Sequence, residues 1–173
     1  LNADLLAAAL ADRPEGFCRV AAWLAQVGHP QVPVWLAQSA RTAQEAADAL
    51  GVQLGQIAKS VVFRRRQDDA AVLVVTSGDR RVDEKRVSAI TGALGRADAD
   101  FVKARTGFSI GGVSPVAHLG PVITLLDEEL QRFGTVWSAA GHPHGVFEAT
   151  PSQLGRLTAA PWHSVVQTPK ATG

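Results

Sequence analysis

One cysteine, Cys18, stands in a chain of 173 residues, which excludes an internal disulfide and any cysteine-rich zinc site. It falls between Phe17 and Arg19 in an apolar helical pattern, where a small buried side chain is expected rather than a nucleophile. Long apolar runs are also missing: none approaches the roughly 20 residues that a membrane helix needs. The opening LNADLLAAALADRPEGF lacks the basic stretch that begins a signal peptide, so residues 1–16 are expected to be a leading helical extension and residues 17–173 the domain proper. These absences suit a cytoplasmic protein with no membrane partner. No serine sits in a nucleophile elbow and no carboxylates are paired, so neither covalent hydrolysis nor glycosidase chemistry is supported. Repeats, low-complexity segments and linkers that would split the chain are absent as well.

What is present suits a folded domain: 46% apolar and 19% charged residues are ordinary for a packed core and wrong for a disordered chain. Net charge is only +1, but it is unevenly spread. Residues 59–105 hold 11 Lys/Arg against 7 Asp/Glu, with Arg64-Arg65-Arg66, Arg80-Arg81 and Lys85-Arg86 as clusters. A solvated face is the default for such clusters, and a phosphate-backbone partner the sharper reading.

Apolar spacing predicts a helix over residues 17–27, stopped by Gly28 and Pro30, and a strand over 32–38. A helix over 39–50 follows, with Thr42 and Glu45 in capping-box spacing and Gly51 past its end. Residues 57–66 and 70–76 read as a hairpin. Residues 83–90 read as a helix with acids at its N-terminus, and 101–103 as a short extended piece. Strands are expected over 122–126, 135–140, 145–149 and 162–167, with a helical turn over 127–132 and a last helix opening at Thr150-Pro151. Strands and helices mix without a regular βαβ beat. The expected architecture is a single α+β domain on a mixed, strongly curved, barrel-like sheet of six to seven strands with flanking helices.

Three pieces carry chemistry. Lys59, in IAKSVVF, shares its strand face with apolar Ile57 and Val61, so it lies either at a rim or in a cavity that meets something anionic. The stretch TGFSIGGVSPVAH, residues 106–118, is a proline-closed glycine loop whose free N–H groups can polarise a carbonyl or hold an oxyanion; a tight turn between strands is the plainer reading. It lacks the lysine and Ser/Thr of a Walker A motif and the G-x-G-x-x-G spacing of a dinucleotide site. The turn SAAGHPH, residues 138–144, projects His142 either into a pocket or into solvent. His142 and His144 lack a third ligand at recognisable spacing, so no metal is expected. His29, His118 and His163 have nothing evident arranged around them.

In this order the pieces resemble the YbaK/ProXp family of trans-editing aminoacyl-tRNA deacylases, whose fold also occurs as the editing insertion of bacterial prolyl-tRNA synthetases. The likeness runs over residues 17–167, through TAQEAADALGV, QIAKSVVFR, AAVLVVTSGDRRVDEKRV, TGFSIGGVSP and SAAGHPHGVFEATPSQL. It implies hydrolysis, without a cofactor, of the ester joining a wrong amino acid to the 3′-terminal adenosine of tRNA. In that likeness Lys59 is needed for activity and lies by the terminal nucleotide. Gly111 and Gly112 belong to the catalytic loop, and Val113, Ser114 and Pro115 complete its frame around the ester. Ser138, Gly141 and His142 line the side-chain pocket. The GHP turn, here with one alanine more than the plainest SAGHP spelling, is similar to that of members that clear alanine from tRNA(Pro). Mischarged tRNA is the implied partner, with an aminoacyl-tRNA synthetase as a further one. A non-catalytic tRNA- or synthetase-associated module of the same fold is the alternative, and a metallohydrolase using His142 and His144 a third.

Overall fold

Two helices open the chain, α1 (Ala3–Leu10) and α2 (Glu15–Gln26). The computed structural model describes residues 3–169; Leu1 and Asn2 of the leading segment and residues 170–173 of the expected domain lie outside the described residues. The apolar stripe of α2 buries Phe17, Val20, Ala21 and Leu24, as its helical spacing requires. Cys18 falls beside that stripe and is only half buried, its Sγ 3.4 Å from the carbonyl of Arg13, which corrects the expectation of a buried core residue.

The strand expected over 32–38 shrinks to β1 (Val34–Trp35), because only these two residues find a partner strand. Helix α3 (Ala43–Leu50) has the expected capping box between Thr42 and Glu45, and Gly51 closes it at φ +68°. The hairpin follows: β2 (Ile57–Arg65) and β3 (Ala71–Ser77) pair antiparallel from Ala58↔Ser77 to Arg64↔Ala71. Next come α4 (Glu84–Thr91), capped by Asp83, and β4 (Leu94–Arg96), a strand that the pattern did not predict.

The expected extended piece at 101–103 is the middle of a helix, α5 (Ala99–Thr106). Asp98 caps it through the Phe101 N–H and Gly107 ends it at φ +82°; these end signals outweigh the strand preference of Phe and Val at its centre. The rest of the chain supplies β5 (Val122–Asp127), a 3₁₀ turn (Glu128–Arg132), β6 (Val136–Ala139) and β7 (Gly145–Ala149). Helix α6 (Pro151–Thr158) begins at the Thr150–Gln153 capping box, and β8 (Trp162–His163) is shorter than the expected 162–167.

The eight strands form one mixed sheet in the order β1-β7-β6-β2-β3-β5-β8, with β4 pairing β2 beside that path. The α+β class and the mixed sheet are as expected; the strand beyond the expected seven is β4. Strand β3 is buried on both faces: Leu73 and Val75 enter the main core with Phe17, Phe108, Leu126 and Phe147, while Val72 and Val74 pack with Val87, Leu125 and Val165. A third cluster joins Ala46 and Ala47 of α3 to Ile57 of β2.

The sheet is open along one stretch of β2. This strand pairs in parallel with β6 only at Ile57↔Trp137 and Ala58↔Ser138, and with β4 only from Phe63↔Arg96 to Arg65↔Leu94. Residues 59–62 therefore have β3 on one side and no strand on the other. Ile57 and Arg65 bond towards β3, so the even-numbered residues between them direct their peptide groups at the open side.

Candidate functional site

A cavity of about 430 Å³ occupies this gap. Alternation along β2 gives it two ends. Lys59, Ile57 and Val61 meet it on the α3 face, with Arg41 and Thr42. Ala58, Ser60 and Val62 meet it on the main-core face, with Val102, Val113 and Ser138. The outer end is cationic and the inner end is apolar, interrupted by Ser60 and Ser138. Among the described residues no Asp or Glu lines it.

Lys59 is half buried. Burial pushes its ammonium below the ordinary lysine value of 10.5, the nearby Arg81 guanidinium adds to this, and the Asp79 carboxylate opposes it. A buried lysine without a carboxylate partner is an electrostatic cost to the free protein, and a bound anion relieves it.

The glycine loop reaches the same cavity through Gly111 and Val113. Gly112 N–H donates to Ser109 O at 3.0 Å, closing a turn in which Gly111 takes φ +95°, a backbone pose that favours glycine. The Gly112 N–H is therefore engaged within the turn. The N–H groups of Gly111, Val113 and Ser114 have no acceptor among the described residues. Gly112 matters instead for close approach, since a Cβ there would stand 2.7 Å from the Cα and carbonyl carbon of His142. Only a bare backbone lets the loop and the 141–144 turn touch.

The remaining sequence-predicted residues stand behind the cavity wall. Ser114 is fully buried and its Oγ accepts from Val116 N–H, so its hydroxyl serves the loop. Pro115 is buried beside it. Gly141 packs against the backbone of Gly16 at the start of α2. His142 stacks on Trp35 at 4.9 Å between ring centroids, and Trp35 also carries His144 at 5.1 Å and the Arg13 guanidinium at 4.5 Å. His142 Nδ1 accepts from His144 N–H and His144 Nδ1–H donates to Leu36 O. Burial first, then His144 and Arg41, pushes the His142 ring below its ordinary value of 6.5. Among the described residues no three His, Cys, Asp or Glu side chains are grouped so as to hold a metal ion.

Two residues that sequence reasoning passed over hold the loop. Arg19 of α2 donates to Ala117 O at 3.0 Å and to Gly107 O at 3.1 Å, binding both ends of the loop at once. Glu15 fixes the same guanidinium at 2.7 Å, and Phe108 lies under it at 4.3 Å. His118 donates from Nε2 to Ser114 O at 2.8 Å. His29 likewise has a partner, the Glu148 carbonyl at 2.7 Å. The only local signal for Arg19 was its i,i+4 spacing from Glu15; its loop contacts lie 88 and 98 residues away.

Residues 37–157 match the model of the aminoacyl-tRNA editing domain. The chain belongs to the aminoacyl-tRNA editing domain family. It is 36% identical over 121 residues to YwhH of Bacillus subtilis (strain 168), covering 69% of this chain and 76% of that protein. A proline–tRNA ligase of Thermoanaerobacter sp. (strain X514) is 29% identical over 96 residues, 53% of this chain but 16% of the ligase. Among solved structures, a candidate trans-editing enzyme for prolyl tRNA synthetase superposes with a TM-score of 0.83 at 38% identity, over 90% of this chain and 99% of that one. The editing-domain match spans the cavity-lining residues from Ala40 to Val146. No helix among the described residues is long and apolar enough to cross a membrane.

Proposed function

We propose that this editing-domain protein is a deacylase that hydrolyses mischarged tRNA in trans, with Ala-tRNA(Pro) as its substrate, in the cytoplasm. The observation that carries this reading is the cavity at the open edge of β2, where Lys59, the glycine loop and Ser138 converge. Its volume suits a small-molecule-sized ligand such as an aminoacylated nucleoside, within the roughly 300–1,000 Å³ of such sites. The kinship with proline–tRNA ligase sequence supports tRNA(Pro) as the carrier.

The ends of the cavity suggest the pose. The terminal nucleotide, with its phosphate, takes the outer end by Arg41 and Lys59, and the amino acid passes inward between Ser60 and the loop. Water adds to the ester carbonyl carbon, and the carbonyl oxygen becomes an oxyanion. The unpaired N–H groups of Gly111 and Val113, the loop residues that line the cavity, are the donors for it, each worth about 2.7–4 kcal/mol in comparable sites. Collapse of the adduct breaks the bond to the ribose oxygen, which takes a proton as the free amino acid leaves. Among the described residues no carboxylate lines the cavity, so orienting the water falls to the neighbouring 2′-hydroxyl of the tRNA. Val62, Val102 and Val113 bound the inner end and exclude side chains much larger than alanine by bulk. His142 shapes this end from behind, through Gly112.

The test is a panel of tRNA(Pro) charged with alanine, serine, cysteine, threonine or proline and incubated with the purified protein. Rapid release of alanine with proline retained is the expected result. Binding of charged tRNA without release of any amino acid overturns the reading in favour of a non-catalytic module, whether bound to tRNA or to a synthetase. Alanine release that a chelator abolishes would favour a metallohydrolase.

A further inference from the structure

Among the described residues three hydroxyl oxygens are buried with no hydrogen-bond partner: those of Ser60, Thr76 and Ser138. Leaving such a group unpaired costs about 1–3 kcal/mol, so each calls for a reason. Two of the three, Ser60 and Ser138, line the cavity. They share a sheet face, because Ser138 is in register with Ala58 and Ser60 is the next residue along β2 on the Ala58 side. Ser60 is also the one residue of the open stretch that combines a hydroxyl with a peptide group directed at the gap: it stands beyond the last β6 pairing and before the first β4 pairing. The sheet is interrupted where its hydroxyl is orphaned.

A bound aminoacyl ester has three polar groups around the scissile bond. Its carbonyl needs donors, which the glycine loop holds, and its 2′-hydroxyl stays with the ribose. The α-amino group needs acceptors. With no acid among the described residues of the lining, only neutral oxygens remain for it, and the cations Arg41 and Lys59 favour its uncharged form. We infer that Ser60, together with Ser138, binds the α-amino group of the substrate, Ser60 through its hydroxyl and its open-edge carbonyl. The inference rests on the deacylase reading and adds to it a substrate-binding residue and a chemical requirement: the acyl group must carry an α-nitrogen.

The experiment compares alanyl-tRNA(Pro) with propionyl-tRNA(Pro), in which hydrogen replaces the amino group, for the wild-type protein and for Ser60→Ala. The quantity read is the change, from wild type to variant, in the ratio of kcat/KM for the two esters, a comparison that cancels their different intrinsic reactivity. Ser60→Ala is expected to lower the alanyl-to-propionyl ratio about tenfold, the worth of one hydrogen bond. Ser60→Thr, which keeps the hydroxyl on a residue suited to a strand, is expected to restore it. An unchanged ratio, whether both rates fall together or neither moves, overturns the inference. If Ser60→Ala does not fold by circular dichroism, Ser60→Cys is put through the same comparison with the same criteria. Wild-type protein that releases no alanine ends the deacylase reading and this inference with it. Wild-type release with an unchanged ratio in the variant ends this inference alone.

Discussion

Two groups of cations on β2 and its surroundings have opposite situations. At the hairpin tip, Arg64 and Arg65 lie 3.1 Å and 2.7 Å from Asp69 and Asp68, acids from the turn that joins the same two strands. Arg80 and Arg86 are matched in the same way by Asp79 and Asp83. At the cavity, Lys59 and Arg41 have no ion-pair partner among the described residues, and burial holds the lysine below its ordinary pKa. Arg64, Arg65, Arg80 and Arg86 of the basic clusters are thus matched by acids close to them in sequence, whereas a lone lysine in an apolar strand is not. Uncompensated charge in a half-buried place, rather than charge density, marks where an anion is to be met.

The contrast is sharpest at Lys59. Lys59→Ala is expected to reduce deacylation about 100-fold or more without loss of thermal stability, because the removed charge was a cost to the folded state. In single-turnover assays an unchanged rate would remove the lysine from the site. The wild-type rate should also decline with alkali at a pH below the ordinary lysine value of 10.5, as the ammonium loses its proton.

Next in size is the contact that joins loop to turn. Gly112→Ala places a Cβ 2.7 Å from the His142 backbone, and neither backbone can yield cheaply. A loss of about 2–3 kcal/mol in urea unfolding is expected, together with loss of activity. Arg19→Ala should cost less, about 1–2 kcal/mol, since its guanidinium is partly exposed and its bonds are charge-assisted. Its distinguishing mark is a lower kcat with little change in KM, from a loosened oxyanion donor set.

A smaller effect concerns acid. Burial holds His118 below 6.5, with its bond to Ser114 opposing and Arg19 assisting, and His142 is held down as well. As pH falls through 6.5 the unfolded chain takes up these protons first, so stability falls with acid until the folded-state values are reached. Unfolding measured between pH 7 and pH 5 should show this slope, and His118→Gln should flatten it. At the bottom of the scale, Arg64→Ala and Arg65→Ala at the compensated tip should change stability little, as exposed ion pairs do, and leave deacylation within about twofold of wild type. A large loss of activity there would erase the comparison.

The order of elements could be read along the chain wherever a local signal exists. Thr42 with Glu45, Asp83, and Thr150 with Gln153 cap helices where their spacing said they would, because a cap is made with the residue's own neighbours. The β2–β3 hairpin was legible for the same reason. Strand β4 was not: three residues containing a glycine carry no periodicity, and they are extended because β2 runs past the end of β6 and its edge is taken up by Arg96, Gly95 and Leu94. Phe101 and Val102 looked extended because their intrinsic preference was read without the caps on either side. At the site, Lys59 and the glycine loop stand out in sequence as breaks of pattern, but Ser60 looks like any polar strand residue until the gap beside it is known.

By itself, then, the sequence determined the helix ends, the central hairpin, the loop that only glycine can form and the kinship of the chain, since each depends on residues close together or on an ordered set of motifs. Tertiary structure decided which charges stay uncompensated, which loop N–H groups stay free and which hydroxyls are orphaned. These depend on where β6 and β4 leave β2 and on contacts such as Arg19 with Ala117, 98 residues apart, and free energy of that kind exists only once the chain has closed on itself.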